Sequence, residues 1–344
     1  MAFEIENGIL KKYTEKEGVT NVVVSDDVVE IGRSAFEGCD VTSVTLPNGL
    51  KSIGDHAFQM CWRLKRINLP DSITKIGGAA FQYCVALKEI KLPKNITSIK
   101  SATFLNCDSL AAIDIPDSVV RIENYAFTRC KNLIQVTIPD SVKRIERRAF
   151  EECESLKKIN IPFSVKRIEG GTFWGCRSLE KITIPDSVIR IESSAFSNCS
   201  DLKEINIPNS VISIGDNAFA DCHSLKSINI PDSVKRIESN AFSNCWHLKE
   251  INIPDSVISI GHEAFEECQR LESINLSNNI TSIEYGTFYG CISLISITIP
   301  ESVTLIDNEA FAGCTNLGSV KIGGKNVEIA EDAFEGCPGD IEVV

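Results

Sequence analysis

Residues 182–202 read ITIPDSVIRIESSAFSNCSDL, and this stretch is one copy of a unit that fills the chain. Its cysteine recurs every 23 residues, apart from a first step of 22, and a phenylalanine lies three residues before each of these cysteines. The cysteines are Cys39, Cys61, Cys84, Cys107, Cys130, Cys153, Cys176, Cys199, Cys222, Cys245, Cys268, Cys291, Cys314 and Cys337. A fixed period of about 20–50 residues is the signature of a solenoid, whose coils stack on their neighbours.

The apolar spacing within one unit predicts the shape of each coil. In the copy that begins at Pro139 the apolar residues are Val142, Ile145, Ala149, Phe150, Cys153, Leu156, Ile159 and Ile161. Ile159 and Ile161 alternate with a polar residue, which is the period of a β-strand, whereas the segment from Ala149 to Leu156 has helical spacing. The sequence therefore predicts a repeat solenoid of about 14 coils. It would have a parallel β-sheet on one side and short helical or 3₁₀ turns on the other.

Both ends of the chain depart from the unit, which predicts caps that cover the terminal coils. Residues 1–30 are interpreted as an N-terminal cap, with Asn7-Gly8 as a hairpin turn. Residues 31–322 form the solenoid, and residues 323–344 a C-terminal cap that ends in a last strand at 341–344. Such caps keep the core and the strand edge of an end coil from being exposed.

Composition excludes several classes of function. The 344 residues carry a net charge of −12, with acidic and basic side chains interspersed, which disfavours nucleic acid as a partner. No apolar run approaches the roughly 18 residues of a membrane span, so we expect no membrane insertion. The unbroken repeat favours one elongated domain over the two that the length alone would suggest.

The repeated polar and thiol positions are interpreted as structural. Equivalent side chains on stacked coils lie roughly 4.8 Å apart and point the same way, which suits buried thiols better than disulfides. An arginine five residues after the proline and a glutamate two residues later, as in Arg190 and Glu192, predict a ladder of ion pairs. No acid, base and nucleophile converge on one coil, and no histidine or cysteine spacing suits a metal, so we expect no enzyme, no cofactor and no metal site.

The unit, Leu-x-x-Ile-x-Ile-Pro-Asp-Ser-Val-x-x-Ile-x-x-x-Ala-Phe-x-x-Cys, resembles the BspA-type leucine-rich repeats, and the opening NGILKKY at 7–13 resembles their N-terminal cap. The resemblance implies a leucine-rich-repeat-like solenoid in a surface protein that takes part in adhesion or protein binding, with a host or extracellular glycoprotein among the candidate partners. It also implies a cell-surface or secreted location. The first residues do not read as a secretory signal, so a cytoplasmic protein and a chain whose signal has been removed both stay open.

Aromatic and arginine side chains that depart from the unit are the candidate partner contacts, because both types are enriched at interface hot spots. They are Tyr125, Arg147, Arg148, Phe163 and Trp174. The leading hypothesis is a non-enzymatic repeat scaffold that binds a protein partner. An inert structural spacer and a glycan-binding module with exposed aromatic platforms are the alternatives.

Overall fold

A computed structural model describes residues 2–338 and 342–343. The chain divides into two compact units, Met1–Val165 and Lys166–Val344, and each unit is described by itself. Within the described residues each unit consists of short strands and turns without a helix. Accordingly, no helix in this part of the chain is long and apolar enough to cross a membrane.

The Ile-x-Ile positions form the first ladder of strands, as the alternation predicts. Its strands pair in parallel, so that Ile182, Ile205 and Ile228 stand in register on successive coils. Each central isoleucine points into the core and its polar neighbours point outward. In the first unit the strands of this ladder are Asn21–Val23 (β3), Ser43–Thr45 (β5), Arg66–Asn68 (β7), Ala112–Asp114 (β10), Gln135–Thr137 (β12) and Lys158–Ile159 (β14). In the second unit they are Lys181–Thr183 (β16), Glu204–Asn206 (β18), Ser227–Asn229 (β20), Glu250–Asn252 (β22), Ser273–Asn275 (β24), Ser296–Ile299 (β26), Ser319–Ile322 (β28) and Glu342–Val343 (β30).

A second ladder of strands, which the apolar spacing did not predict, gives most coils two strands. Arg190 and Ile191 pair in parallel with Ser213 and Ile214 of the next coil. Two residues are too few to show a period of two, so the apolar pattern does not indicate a strand here. Three of these strands, Glu30–Ile31 (β4), Ser52–Ile53 (β6) and Lys75–Ile76 (β8), join the N-terminal hairpin in one sheet. The other second-ladder strands of the first unit are Ser98–Ile99 (β9), Arg121–Ile122 (β11) and Arg144–Ile145 (β13). Those of the second unit are Arg167–Ile168 (β15), Arg190–Ile191 (β17), Ser213–Ile214 (β19), Arg236–Ile237 (β21), Ser259–Ile260 (β23), Ser282–Ile283 (β25), Leu305–Ile306 (β27) and Glu328–Ile329 (β29).

The Ala-Phe segment contains successive turns in place of the predicted helical or 3₁₀ turn. Ser194 and Asn198 have φ of 56° and 59°, which a right-handed helix does not allow. The amide of Ala195 bonds the carbonyl of Glu192, and that of Cys199 bonds the carbonyl of Phe196. Amides between them bond the next coil, so the segment adds a further ladder between coils. Positive φ also accounts for the many Gly and Asn residues directly before the cysteines.

The phenylalanines form the centre of the core in each unit. Phe196 is fully buried and stacks on Phe173 and Phe219, with ring centroids 5.3 and 5.5 Å apart. The Cys199 thiol donates to the carbonyl oxygen of Phe173 on the preceding coil, at 3.2 Å. The same bond recurs along both units, so these buried thiols are also hydrogen-bonded to the backbone.

The burial of the thiols makes their reactivity a test of the fold. Burial raises the pKa of Cys84 well above its usual range and that of Cys268 to about 12. Cys337 is half-buried, and its neighbour Cys314 lowers its pKa. We expect a thiol-reactive dye at pH 8 to label Cys337 rapidly in the native protein, and the others only after denaturation. Counting labelled sites by mass spectrometry checks this, and rapid native labelling of Cys84 or Cys268 would contradict it.

The N-terminal segment begins with the hairpin that the sequence predicts at Asn7-Gly8. Ala2–Glu6 (β1) and Ile9–Thr14 (β2) are antiparallel, and both turn residues have positive φ. β2 also pairs in parallel with β4, which places Leu10 beside Ile31 as the first rung of the second ladder. Tyr13 stacks on Phe36 with centroids 5.0 Å apart, so it extends the phenylalanine column.

The chain end is less regular. β29 is exposed at both residues, and β30 pairs with β28 as the last described strand. Ile341 and Val344, at the ends of the predicted final strand, lie outside the described residues. The division into caps at 1–30 and 323–344 stays a prediction.

Candidate interaction surfaces

The outward face of the first ladder in the second unit carries a shallow groove. Its volume is about 630 Å³, and strands β16 to β24 form its floor. Two columns of outward side chains line it, because outward positions alternate with buried isoleucines along each strand. The outermost column contains Thr183, Asn206, Asn229, Asn252 and Asn275. We call the part formed by the four asparagines the asparagine groove.

The amides of the asparagine groove are exposed and have no bonding partner within the described part of the chain. Asn206, Asn229, Asn252 and Asn275 are all exposed, and none of their side chains hydrogen-bonds to another described residue. Asn160 holds the equivalent position in the first unit, but its amide bonds the backbone nitrogen and oxygen of Ile138, at 2.8 and 2.7 Å. The groove therefore presents an uninterrupted row of donors and acceptors that the fold does not use.

The charged side chains beside the groove neutralise each other across neighbouring coils. Lys181 lies 3.2 Å from Glu204, and Lys203 lies 2.7 Å from Glu180. These side chains are more than half exposed, so solvent screens the pairs and each adds little to stability. The face is mixed in sign and lacks the basic stripe that a nucleic acid would require.

The predicted ladder of arginines and glutamates lies on the second ladder of strands. Arg121 contacts Glu146 at 3.7 Å and Arg167 contacts Glu192 at 3.9 Å, each pair joining one coil to the next. Lys100 supplies the positive charge for Glu123 of the next coil, with its Nζ 2.8 Å from Oε1. These contacts agree with the interpretation that the repeated arginines and glutamates stabilise the stacking of coils.

Two of the five candidate contact residues meet in the first unit. The guanidinium of Arg148 lies 5.9 Å from the ring centroid of Tyr125, within the range of a cation–π contact. Arg148 also lies 3.6 Å from Glu151, so part of its charge is already compensated. The carbonyl of Arg147 accepts a hydrogen bond from the Tyr125 amide, which ties the two coils together at this position.

Phe163 and Trp174 differ in exposure and belong to different units. Phe163 is 71% exposed, in the turn after β14, where most coils have an aspartate or asparagine. Trp174 is half-buried in the Ala-Phe segment of the second unit. That these five residues contact a partner stays a prediction.

A further aromatic cluster lies in the second unit and was not among the candidate contacts. His223 stacks on Trp246 with ring centroids 3.8 Å apart and an angle of 11°. His247 Nδ1 lies 2.6 Å from the carbonyl oxygen of His223, and burial lowers the pKa of His223 despite the nearby Asp221. The contact between His223 and Trp246 could have been predicted from the sequence, because the two positions are one period apart and are therefore neighbours on adjacent coils.

Comparison with protein-family models decides the relationship of the chain to known proteins. The model of the BspA type leucine rich repeat region matches residues 9–134, 120–249 and 235–343. The chain belongs to the BspA-type leucine-rich repeat family. A comparison with curated proteins finds no match.

Solved structures of bacterial leucine-rich repeat proteins share this fold. A leucine-rich repeat protein from Bacteroides ovatus is 28% identical, with a TM-score of 0.77 over 99% of this chain and 91% of that one. A leucine rich cell surface protein from Faecalibacterium prausnitzii is 30% identical, with a TM-score of 0.51 over 97% and 90%. A leucine-rich repeat protein from Eubacterium ventriosum is 25% identical, with a TM-score of 0.60 over 89% and 88%. Each unit of the BspA-type chain is thus a leucine-rich repeat scaffold, a fold typically used for protein interaction.

Proposed function

We propose that this BspA-type chain is a non-enzymatic scaffold that binds a protein partner through the asparagine groove, in adhesion or another cell-surface interaction. The observation that carries the proposal is the row of four exposed, unbonded amides on successive strands of one rigid ladder. The leucine rich cell surface protein of Faecalibacterium prausnitzii, similar over most of both chains, supports a surface role.

The groove suits recognition because its backbone is fixed before a partner arrives. Each asparagine lies on a strand that pairs with its neighbours, so binding orders only a short side chain. Each amide offers two donors and one acceptor oxygen, and the row repeats at about 4.8 Å. A partner must match this spacing, which gives the surface specificity without a deep pocket.

The glycan-binding alternative has a specific observation in its favour. Trp246 is 39% exposed, and His223 covers one face of its ring. The other ring face could accept the apolar face of a sugar, with Asn244 beside it at 3.4 Å from the indole nitrogen. An inert spacer would bind neither a protein nor a glycan.

Capture with the intact chain, followed by a glycan array, separates these three functions. We expect capture of a protein from the surface fraction of cells or matrix, and loss of that protein when Asn229 and Asn252 are both replaced by Arg, because the longer side chains fill the groove. Ser259→Arg, an exposed change on the second ladder, is the matched control and should keep the partner.

The same captured partner also tests the other candidate surfaces. If Phe163→Asp lowers capture and the groove variant does not, the contacts predicted from sequence form the binding site instead. A glycan signal that Trp246→Ala removes would favour the glycan-binding function. The absence of any partner in both assays would favour the spacer.

A further inference from the structure

Three side chains with metal-binding atoms converge on consecutive coils of the second unit. His262, Glu284 and Asp307 each offer one ligand atom, and these atoms all lie within 4.8 Å of one another. His262 Nδ1 is 3.8 Å from Glu284 Oε2. The sequence positions are about one period apart, so stacking brings together residues that lie more than 20 positions apart in the chain. It is the one such group among the described residues.

The surroundings of this group differ from those of equivalent acids elsewhere in the chain. Glu284 and Asp307 occupy the same repeat position as Glu146 and Glu192. Those two glutamates contact Arg121 and Arg167 of the preceding coil. The residues that would supply the arginine to Glu284 and Asp307 are instead Ser259 and Ser282. Two carboxylates therefore face one another across neighbouring coils with a histidine in place of the usual cation.

Hydrogen bonds hold the carboxylates in position and leave an oxygen of Glu284 directed at His262. Ser282 Oγ donates to Glu284 Oε1 at 2.5 Å, so Oε2 is the oxygen that faces the imidazole. The amide of Asn308 donates to Asp307 Oδ1 at 2.8 Å. The backbone carbonyl oxygen of His262 accepts a hydrogen bond from the backbone amide of Asn240 at 2.9 Å. This bond fixes the backbone from which the His262 side chain extends. Outer partners of this kind orient metal ligands in known sites.

We propose that His262, Glu284 and Asp307 bind a divalent first-row transition-metal ion, for which Zn²⁺ is the probe. One imidazole nitrogen and two carboxylate oxygens form a ligand set that suits zinc, whereas calcium and magnesium prefer oxygen alone. Zinc ligands lie about 2.0–2.2 Å from the ion, so these partly exposed side chains need to close by roughly 0.7 Å each. Three protein ligands leave a position open for water or for an acidic group of a partner protein.

The cysteines are poor competitors for the ion in the folded protein. Their thiols are buried, with pKa values raised by burial, and they donate to backbone carbonyls, whereas a metal binds the thiolate. Cys337, the half-buried exception, is distinguished from the proposed site by spectroscopy. Cobalt bound by thiolate gives an intense charge-transfer band that cobalt bound by nitrogen and oxygen lacks.

The test is calorimetric titration of the intact, chelator-treated protein with Zn²⁺, repeated with Co²⁺ in the spectrophotometer. We expect one equivalent to bind, without a thiolate band, and His262→Ala and Glu284→Gln each to weaken binding at least tenfold. Glu192→Gln changes the equivalent glutamate on a coil that has its arginine, so it should bind as the unmodified protein does.

Circular dichroism of the two variants ensures that a loss of binding reflects the site. Both change partly exposed side chains, so the native spectrum and the unfolding midpoint should be retained. No saturable binding to the unmodified protein, or equal binding by His262→Ala, would overturn the proposal. A thiolate band with unchanged affinity in the variants would assign the metal to a cysteine instead, and would also overturn it.

Discussion

Replacement of Phe196 by Ala is expected to lower the free energy of unfolding by about 3–5 kcal/mol. The ring is fully buried and stacks on the phenylalanines of both neighbouring coils, so its loss leaves a cavity with ring faces on two sides. The backbone at this position cannot collapse into the cavity, because the amide of Phe196 bonds the carbonyl of Ala218 on the next coil. The change also weakens the coupling between coils on which a repeat protein depends.

Urea unfolding followed by far-ultraviolet circular dichroism measures this change, with Ile189→Ala as the matched control. Ile189 lies on the same coil and is 42% exposed, so its truncation should cost less than about 0.5 kcal/mol. If Phe196→Ala cost no more than this control, the phenylalanine column would not be the core of the coil.

Two substitutions at Tyr13 are expected to act in opposite directions. Tyr13→Ala should cost about 3–5 kcal/mol, since the ring is 3% exposed and lies between Phe3 and Phe36. Tyr13→Phe should instead stabilise the protein by about 1 kcal/mol. The Tyr13 hydroxyl is buried and makes no hydrogen bond within the described residues, so its removal eliminates the free-energy cost of burying an unbonded polar group.

Thermal unfolding of both Tyr13 variants beside the unmodified protein gives the comparison. The two single changes share one position and differ only in whether the ring is kept. A lower melting temperature for Tyr13→Phe would show that the hydroxyl has a bonding partner, such as an ordered water. An unchanged melting temperature for Tyr13→Ala would show that the hairpin does not cover the first coil.

The sequence predicted the repeat, the first ladder and the thiol column because all three follow from one period. A period of 23 residues places every Phe and Cys on its equivalents, so their shared burial needs only the assumption of stacking. The hairpin was readable from Asn7-Gly8, whose residues accept positive φ.

The second ladder and the Ala-Phe turns could not be read in the same way. Arg190–Ile191 is a strand of two residues whose pairing is set by its neighbours on other coils. The spacing of Ala195, Phe196 and Cys199 is compatible with a helix, and positive φ at Ser194 and Asn198 decides against one. Asn and Gly before the cysteines were the available signal, and their meaning depends on backbone geometry that spacing does not supply.

The candidate surfaces could likewise be predicted only in part from the sequence. Tyr125 and Arg148 are 23 residues apart and therefore on adjacent coils, but the cation–π contact between them was not predicted. The asparagine groove was not predicted, because Asn occupies a regular outward position of the repeat. Asn160 and Asn229 differ in the hydrogen bonds of their side chains, which the sequence does not reveal. The group of His262, Glu284 and Asp307 was not predicted, because its three members come from different coils and form no local metal-binding motif.

Site-specific photo-crosslinking to the captured protein tests most directly whether the asparagine groove is the binding surface. A photoreactive residue replaces Asn229 in one variant and Ser259, on the second ladder, in another. The proposed function predicts a crosslink to the partner from position 229 and none from position 259. A crosslink from position 259 alone, or from neither position while capture persists, would contradict it.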